Sequence, residues 1–149
     1  MNQPKTLKHG SLIAYLILAI TLLILIFQYS FVAKGYIGII VQILAVLLMV
    51  WARFTFGLRS FHLTANPPKG GLVTSGPYHF IRHPIYTGVL LFIWTAVLTY
   101  LTLFNIFLGI IATSATLFRI LAEEHLLLTM YPEYKDYASK TKRFIPYLL

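Results

Sequence analysis

The stretch from Ile85 to Phe118 reads IYTGVLLFIWTAVLTYLTLFNIFLGIIATSATLF, 34 residues dominated by apolar side chains. As one helix it would measure roughly 51 Å, far more than the roughly 30 Å of a bilayer's hydrocarbon core. Two shorter spans joined as a helical hairpin fit it better, with Asn105 expected at the tip although no Gly or Pro fixes the turn there. Upstream the character changes. Asn66-Pro67-Pro68-Lys69-Gly70-Gly71 and Gly76-Pro77 are turn signals that a lipid-facing helix would not carry, so residues 53–84 are expected at the membrane surface. Further upstream, Tyr36 to Trp51 is apolar and bounded by Arg53 and Arg59. Ser11 to Ala33 is apolar too, roughly 34 Å long as a helix, and only Lys34-Gly35 separates the two runs. The expected spans are therefore 11–33 and 36–52, hairpinned against each other, then the hairpin over 85–120, then a C-terminal segment over 121–149. Lys5 and Lys8 give the start a likeness to a signal peptide. The run that follows is long for an h-region and is not followed by a small-residue cleavage site, so an uncleaved first span is expected.

Composition agrees. Hydrophobic residues make up 58% of 149, which exceeds what a water-soluble domain of this size needs for its core. The expected fold class is all-α: a polytopic transmembrane helical bundle of about four spans with cytoplasmic surface helices, forming one membrane domain over residues 1–149. The formal charge of +8 could point to nucleic acid, but the basic residues lie between apolar blocks and not along one face, so no nucleic-acid partner is expected. With four spans, every Lys and Arg except Lys34 falls on one side if Arg119 is counted there, and the positive-inside rule makes that side cytoplasmic, termini included. The absence of cysteine excludes disulfides, thiolate metal ligands and a cysteine nucleophile.

Polar chemistry gathers on that same side. The acidic residues Glu123, Glu124, Glu133 and Asp136 all follow the last span, and the His-, Arg- and Tyr-rich loop precedes the third. Ionisable groups at a membrane edge are costly unless paired or solvated, which makes Arg82, His83, Arg119, Glu123 and Glu124 a candidate site. In Gly76-Pro77-Tyr78-His79-Phe80-Ile81-Arg82-His83-Pro84-Ile85-Tyr86-Thr87-Gly88, Pro84 can open a helix whose N-terminal N–H groups, with Arg82 and His83 beside them, suit an anionic group such as a cofactor carboxylate. Gly88 would let a helix or a ligand approach closely. The competing reading is an interfacial helix cap with an aromatic belt and Arg anchors reaching headgroups. In the second constellation Arg119 and Glu123, four apart, can pair on one helix face, leaving Glu124 turned by roughly 100° and in need of a partner or of water. Beyond them, Tyr131 to Tyr137 reads as an amphipathic surface helix whose tyrosines are either interface anchors or ligand walls.

Gly76-Pro77-Tyr78, Arg82-His83-Pro84, Tyr86 and Gly88, followed by Glu123-Glu124, Tyr134, Tyr137 and Arg143-Phe144-Ile145-Pro146, resemble the isoprenylcysteine carboxyl methyltransferase and phospholipid methyltransferase superfamily. The likeness covers about Leu72 to Pro146; Met130-Tyr131 stands where the family often carries Phe-Gly. It implies a helical-bundle methyltransferase that binds S-adenosylmethionine without a Rossmann sheet, in keeping with the lack of a G-x-G-x-x-G motif, and that needs no metal. It also implies that Tyr78, Arg82, His83, Tyr86, Gly88, Glu123 and Glu124 line the cofactor pocket, with Arg82, His83 and Glu123 nearest the chemistry. On that likeness Arg82 and His83 would hold the cofactor's carboxylate, Glu124 its ribose or amino group, and Tyr78 or Tyr86 would face the adenine or sulfonium. A carboxylate acceptor is already ionised at neutral pH, whereas an amine needs a base such as His83, Glu123 or His125. A lipophilic acceptor would come from the bilayer. Two other readings stand beside this one: a membrane sterol-reductase-like enzyme using NADPH, and a noncatalytic membrane protein. The sequence does not choose the acceptor, nor whether oxygen, nitrogen or sulfur takes the methyl group.

Overall fold

A computed structural model describes residues 5–57 and 71–144, with side chains from residue 9 onward. Arg59, the Asn66 to Gly70 turn signals, Ile145 and Pro146 lie outside the described residues. The elements are α1 (Lys5–Phe27), α2 (Tyr36–Phe56), a 3₁₀ turn at Gly76–His79, α3 (Pro84–Thr99), α4 (Leu103–Met130) and α5 (Tyr134–Lys140). Among the described residues α1, α2 and α4 are long and apolar enough to cross a membrane, and α3 is a shorter apolar helix. Among the described residues the bundle is thus all-helical, with one isolated parallel bridge between Ile81 and Lys142.

The hairpin lies where the 34-residue run predicts it, but its tip does not. The chain turns at Tyr100–Thr102, and Asn105 is buried inside the first turn of α4. The Thr102 hydroxyl caps α4 by accepting from the Asn105 N–H at 3.1 Å, while Asn105 Nδ2 donates to the Tyr100 carbonyl at 2.7 Å. Thr102 thus supplies the helix-start signal, and the polar residue taken for the tip ties the turn from within. At 16 residues α3 is roughly 24 Å long, while α4 at 28 residues runs about 42 Å, roughly 18 Å longer. The helix expected to end near residue 120 continues unbroken to Met130 and carries Glu123 and Glu124 beyond the start of α3.

The first span ends at Phe27, six residues short of the expected end at Ala33. Tyr29 takes a left-handed backbone (φ 55°), and the Ser30 N–H closes on the Leu25 carbonyl at 2.9 Å, which stops the helix. Phe31 and Ala33 are apolar because they cover the end of the bundle: Phe31 stacks on Phe92 at 4.8 Å, and Ala33 is buried. Gln42, inside the apolar run of α2, accepts from the Ala33 N–H and donates to the Phe31 carbonyl, both at 2.9 Å, and so satisfies backbone groups that have no water to turn to. Gln42→Ala is expected to lower stability by about 1–3 kcal/mol, read as a lower thermal midpoint in detergent; an unchanged midpoint would show that these groups find other partners.

The expected pairing of α1 with α2 does not form. α2 packs on α3 and α1 on α4, with α3 and α4 adjacent, so the helices run α1–α4–α3–α2. The connection of residues 28–35 is long enough to lie across the bundle's end, which frees the two helices from being neighbours. Ala14, Leu18 and Leu25 of α1 share a core with Ile93, Ala96 and Val97 of α3 and Leu108, Ala112 and Ala115 of α4. Small residues at these contacts let the backbones close up, the usual way helices associate where lipid offers no hydrophobic driving force. Hydroxyls within the apolar layer bond back to their own helix, as Thr116 does to the Ala112 carbonyl at 2.8 Å. Large apolar side chains such as Ile37, Leu44 and Leu47 of α2 face outward, as lipid contact requires.

Candidate active site

The overhang of α4 meets three other pieces of chain at one end of the bundle. Pro77 lets the chain turn through the 3₁₀ segment into Arg82 and His83, and Pro84 then starts α3 without needing its missing N–H. The segment after α5 lies alongside: the Arg82 N–H donates to the Lys142 carbonyl at 2.7 Å and the His83 N–H to the Arg143 carbonyl at 3.2 Å. The Thr87 hydroxyl adds a bond to the Phe144 carbonyl at 3.2 Å. The backbone N–H groups of Arg82 and His83, just ahead of α3, are thus taken by the C-terminal strap.

Glu124 is the centre of the site. Its Oε1 receives Arg82 Nε at 3.0 Å and lies 3.3 Å from His83 Nε2, and its Oε2 receives Arg143 Nε at 3.0 Å and one terminal nitrogen of Arg143 at 2.7 Å. Glu124 and His83 are buried, while Arg143 is about half exposed. Arg82 also reaches across the end of α5, donating from one terminal nitrogen to the Ala138 carbonyl at 2.6 Å and to the Thr141 carbonyl. One arginine thus holds the loop before α3, α4 and the end of α5 together. Two guanidinium groups face one carboxylate, leaving an excess positive charge in a largely buried place before His83 is counted. Neither the solvated helix end considered for Glu124 nor the headgroup anchor considered for Arg82 describes what these side chains do.

A second cluster lies beside the first. The Tyr86 hydroxyl donates to Glu123 Oε2 at 3.2 Å and receives Arg119 Nε at 3.2 Å, so a tyrosine stands between the two residues expected to pair directly along the helix. Arg119 is buried, donates to the Ser11 carbonyl of α1 at 2.7 Å and lies over the rings of Tyr15 and Tyr86. It ties α1 to the site end and is no headgroup anchor. Glu123 is only partly buried and His125 is exposed.

Tyr78 is buried, with its ring 5.4 Å from Phe56 and its carbonyl accepting from the Tyr137 hydroxyl at 2.6 Å. Tyr134 is buried on the same face of α5 as Tyr137, their rings 5.9 Å apart. These two are therefore neither interface anchors nor exposed. Burial pushes the Tyr137 hydroxyl up to about 12 and the Tyr134 and Tyr78 hydroxyls higher still, so all three stay protonated across the physiological range. Gly88 stands apart from the charged groups: a side chain there would meet Met49 and, at 2.8 Å, the Ala45 carbonyl oxygen of α2. Sequence reasoning left Arg143 out of the site and gave Tyr134 no individual role. The strap that delivers Arg143 has no periodicity to mark it, and only the family-like motif contained both residues.

Along α5, a cleft of about 510 Å³ is lined by Leu72, Thr74, His79, Glu133, Asp136, Tyr137, Lys140 and Thr141. It adjoins the ion cluster through Thr141, whose carbonyl holds Arg82.

The phospholipid methyltransferase family matches the chain over residues 30–134, which takes in the loop before α3, all of α3 and α4, and the start of α5. The chain is also similar to the nickel-cobalt-cadmium resistance protein NccN of Alcaligenes xylosoxydans xylosoxydans, with 39% identity over 80 residues; the alignment covers 52% of this chain and 37% of that protein. No solved structure matches.

Proposed function

The chain belongs to the phospholipid methyltransferase family and has, among its described residues, three helices long and apolar enough to cross a membrane, and on that premise we propose that it moves a methyl group from S-adenosylmethionine to a lipophilic acceptor, with the site on the cytoplasmic side. The observation that carries this reading is the convergence of Arg82, His83, Arg143 and Glu124 where the overhang of α4 leaves the apolar layer.

The residues fit such a cofactor. The excess positive charge beside Glu124 suits an amino-acid carboxylate, which the half-exposed Arg143 is placed to receive. Both Glu124 oxygens are already engaged, so its part is to fix Arg82, His83 and Arg143; a ribose or amino group would have to displace one of them. When bound, the cofactor supplies an electrophilic methyl carbon on a sulfonium. In this reading Tyr78 and Tyr86 supply aromatic rings beside the cluster, and Gly88 acts indirectly by letting α2 close on α3. Glu123, only partly buried and hydrogen-bonded by Tyr86, is the carboxylate placed to take a proton from an amine acceptor; a carboxylate acceptor would need no base. Catalysis then comes mainly from holding two reactants aligned away from water, with the acceptor's apolar part in the bilayer.

Calorimetric titration of the detergent-purified protein with S-adenosylhomocysteine tests this. Saturable binding is expected, weakened about tenfold or more in Arg82→Ala, which removes one cation of the cluster. A folded wild type that takes NADPH and not S-adenosylhomocysteine would move the reading to a reductase, and one that binds neither would leave a noncatalytic membrane protein.

A further inference from the structure

We propose that the Tyr134 hydroxyl is a binding group for the amino-acid carboxylate of the cofactor, an inference that rests on the methyl-transfer reading above. Tyr134 opens α5, is 2% exposed, and its hydroxyl is buried with no hydrogen-bond partner. A buried donor without an acceptor is uncommon, and its persistence asks for a reason.

The other tyrosines of the site do not share this condition. Tyr137, one turn along the same helix, donates to the Tyr78 carbonyl at 2.6 Å, and Tyr86 is engaged by both Glu123 and Arg119. Ser11 Oγ and Asn105 Oδ1 are also buried without partners, but Asn105 belongs to the opposite end of the bundle. A serine hydroxyl can also swing on its single χ1 bond. A phenol hydroxyl is fixed at the far end of a packed ring and cannot turn back to its own helix.

The surroundings say what Tyr134 would bind. Burial and the Glu124 and Glu123 carboxylates keep the proton on this hydroxyl, with Arg82 acting the other way, so it has a hydrogen bond to donate. The nearest carboxylate of the cluster is saturated: each oxygen of Glu124 already faces two nitrogens. Counted with the neighbouring Arg119 and Glu123, three guanidinium groups stand against two carboxylates at this end of the bundle, an excess that suits an anionic acceptor from outside the chain. A cofactor ending in an amino acid brings one.

Tyr134→Phe tests this, because an unpartnered hydroxyl and a packing ring predict opposite things. In the full-length protein without ligand, the thermal midpoint is expected to stay the same or rise, since nothing is lost with the hydroxyl. The affinity for S-adenosylhomocysteine is expected to fall about 10- to 100-fold, while decarboxylated S-adenosylhomocysteine binds wild type and variant alike. Equal affinity of both proteins for S-adenosylhomocysteine overturns the proposal. So does a lower midpoint with the same loss for both ligands, which assigns Tyr134 to packing. If wild type itself binds no S-adenosylhomocysteine, the methyl-transfer reading fails first and this inference falls with it.

Discussion

Glu124→Ala is expected to lower stability by about 3–5 kcal/mol and to abolish cofactor binding in whatever protein remains folded. The size follows from what is left behind. Arg82 and His83 are largely buried, and their shared partner on α4 is the Glu124 carboxylate; without it a guanidinium stays in a poorly solvated place with too few acceptors. Arg143 loses two hydrogen bonds at the same time, and the strap it anchors covers Arg82 and His83. Glu124→Gln keeps the shape and one acceptor oxygen, so it should lie between wild type and the alanine variant. Arg143→Ala should cost far less stability, because that side chain is about half exposed and water can replace it. Thermal unfolding of the three variants in detergent ranks them; a Glu124→Ala midpoint equal to that of Arg143→Ala would show that Glu124 is not the centre of the cluster.

Gly88→Val is the second large effect, and it separates a packing role from a pocket role. The new Cβ would meet the Met49 side chain, which can move, and the Ala45 carbonyl oxygen at 2.8 Å, which cannot move without shifting α2. Overpacking of this kind costs about 1–3 kcal/mol, and the branched side chain of valine belongs at the upper end or beyond, with alanine lower. The resemblance placed Gly88 on the cofactor pocket, whereas its surroundings are those of a helix–helix contact. Gly88→Ala is therefore expected to lower the thermal midpoint while folded protein keeps near-wild-type affinity for S-adenosylhomocysteine. A loss of affinity at an unchanged midpoint would return Gly88 to the pocket wall.

How legible the fold was depends on the kind of signal each element left. Long apolar runs announce spans because length and hydrophobicity are set by the bilayer, and that holds for α1, α2 and the α3–α4 hairpin alike. Ends are another matter. Phe31-Val32-Ala33 looks like a continuing span because covering the end of a bundle and facing lipid both call for apolar residues. Asn105 looks like a turn tip because it is polar, yet a buried amide that bonds the Tyr100 carbonyl is polar for the opposite reason. Gln42 shows the same ambiguity inside α2.

At the site, the sequence by itself determined the cast: Arg82, His83, Tyr86, Arg119, Glu123 and Glu124 stand out because charge in an apolar chain must be used or solvated, and their order along the chain puts them at one end of the hairpin. Only the tertiary structure decided who meets whom. Local spacing offered Arg119 to Glu123, but packing of the first turn of α3 on α4 brings Tyr86 between them, and the roughly 18 Å by which α4 outruns α3 leaves Glu124 to Arg82, His83 and Arg143. Helical periodicity reports neighbours three or four residues apart. Partners 19, 41 and 42 residues away are chosen by where helices end and where a strap lies down, and that is settled by packing and by the cost of leaving a buried charge alone.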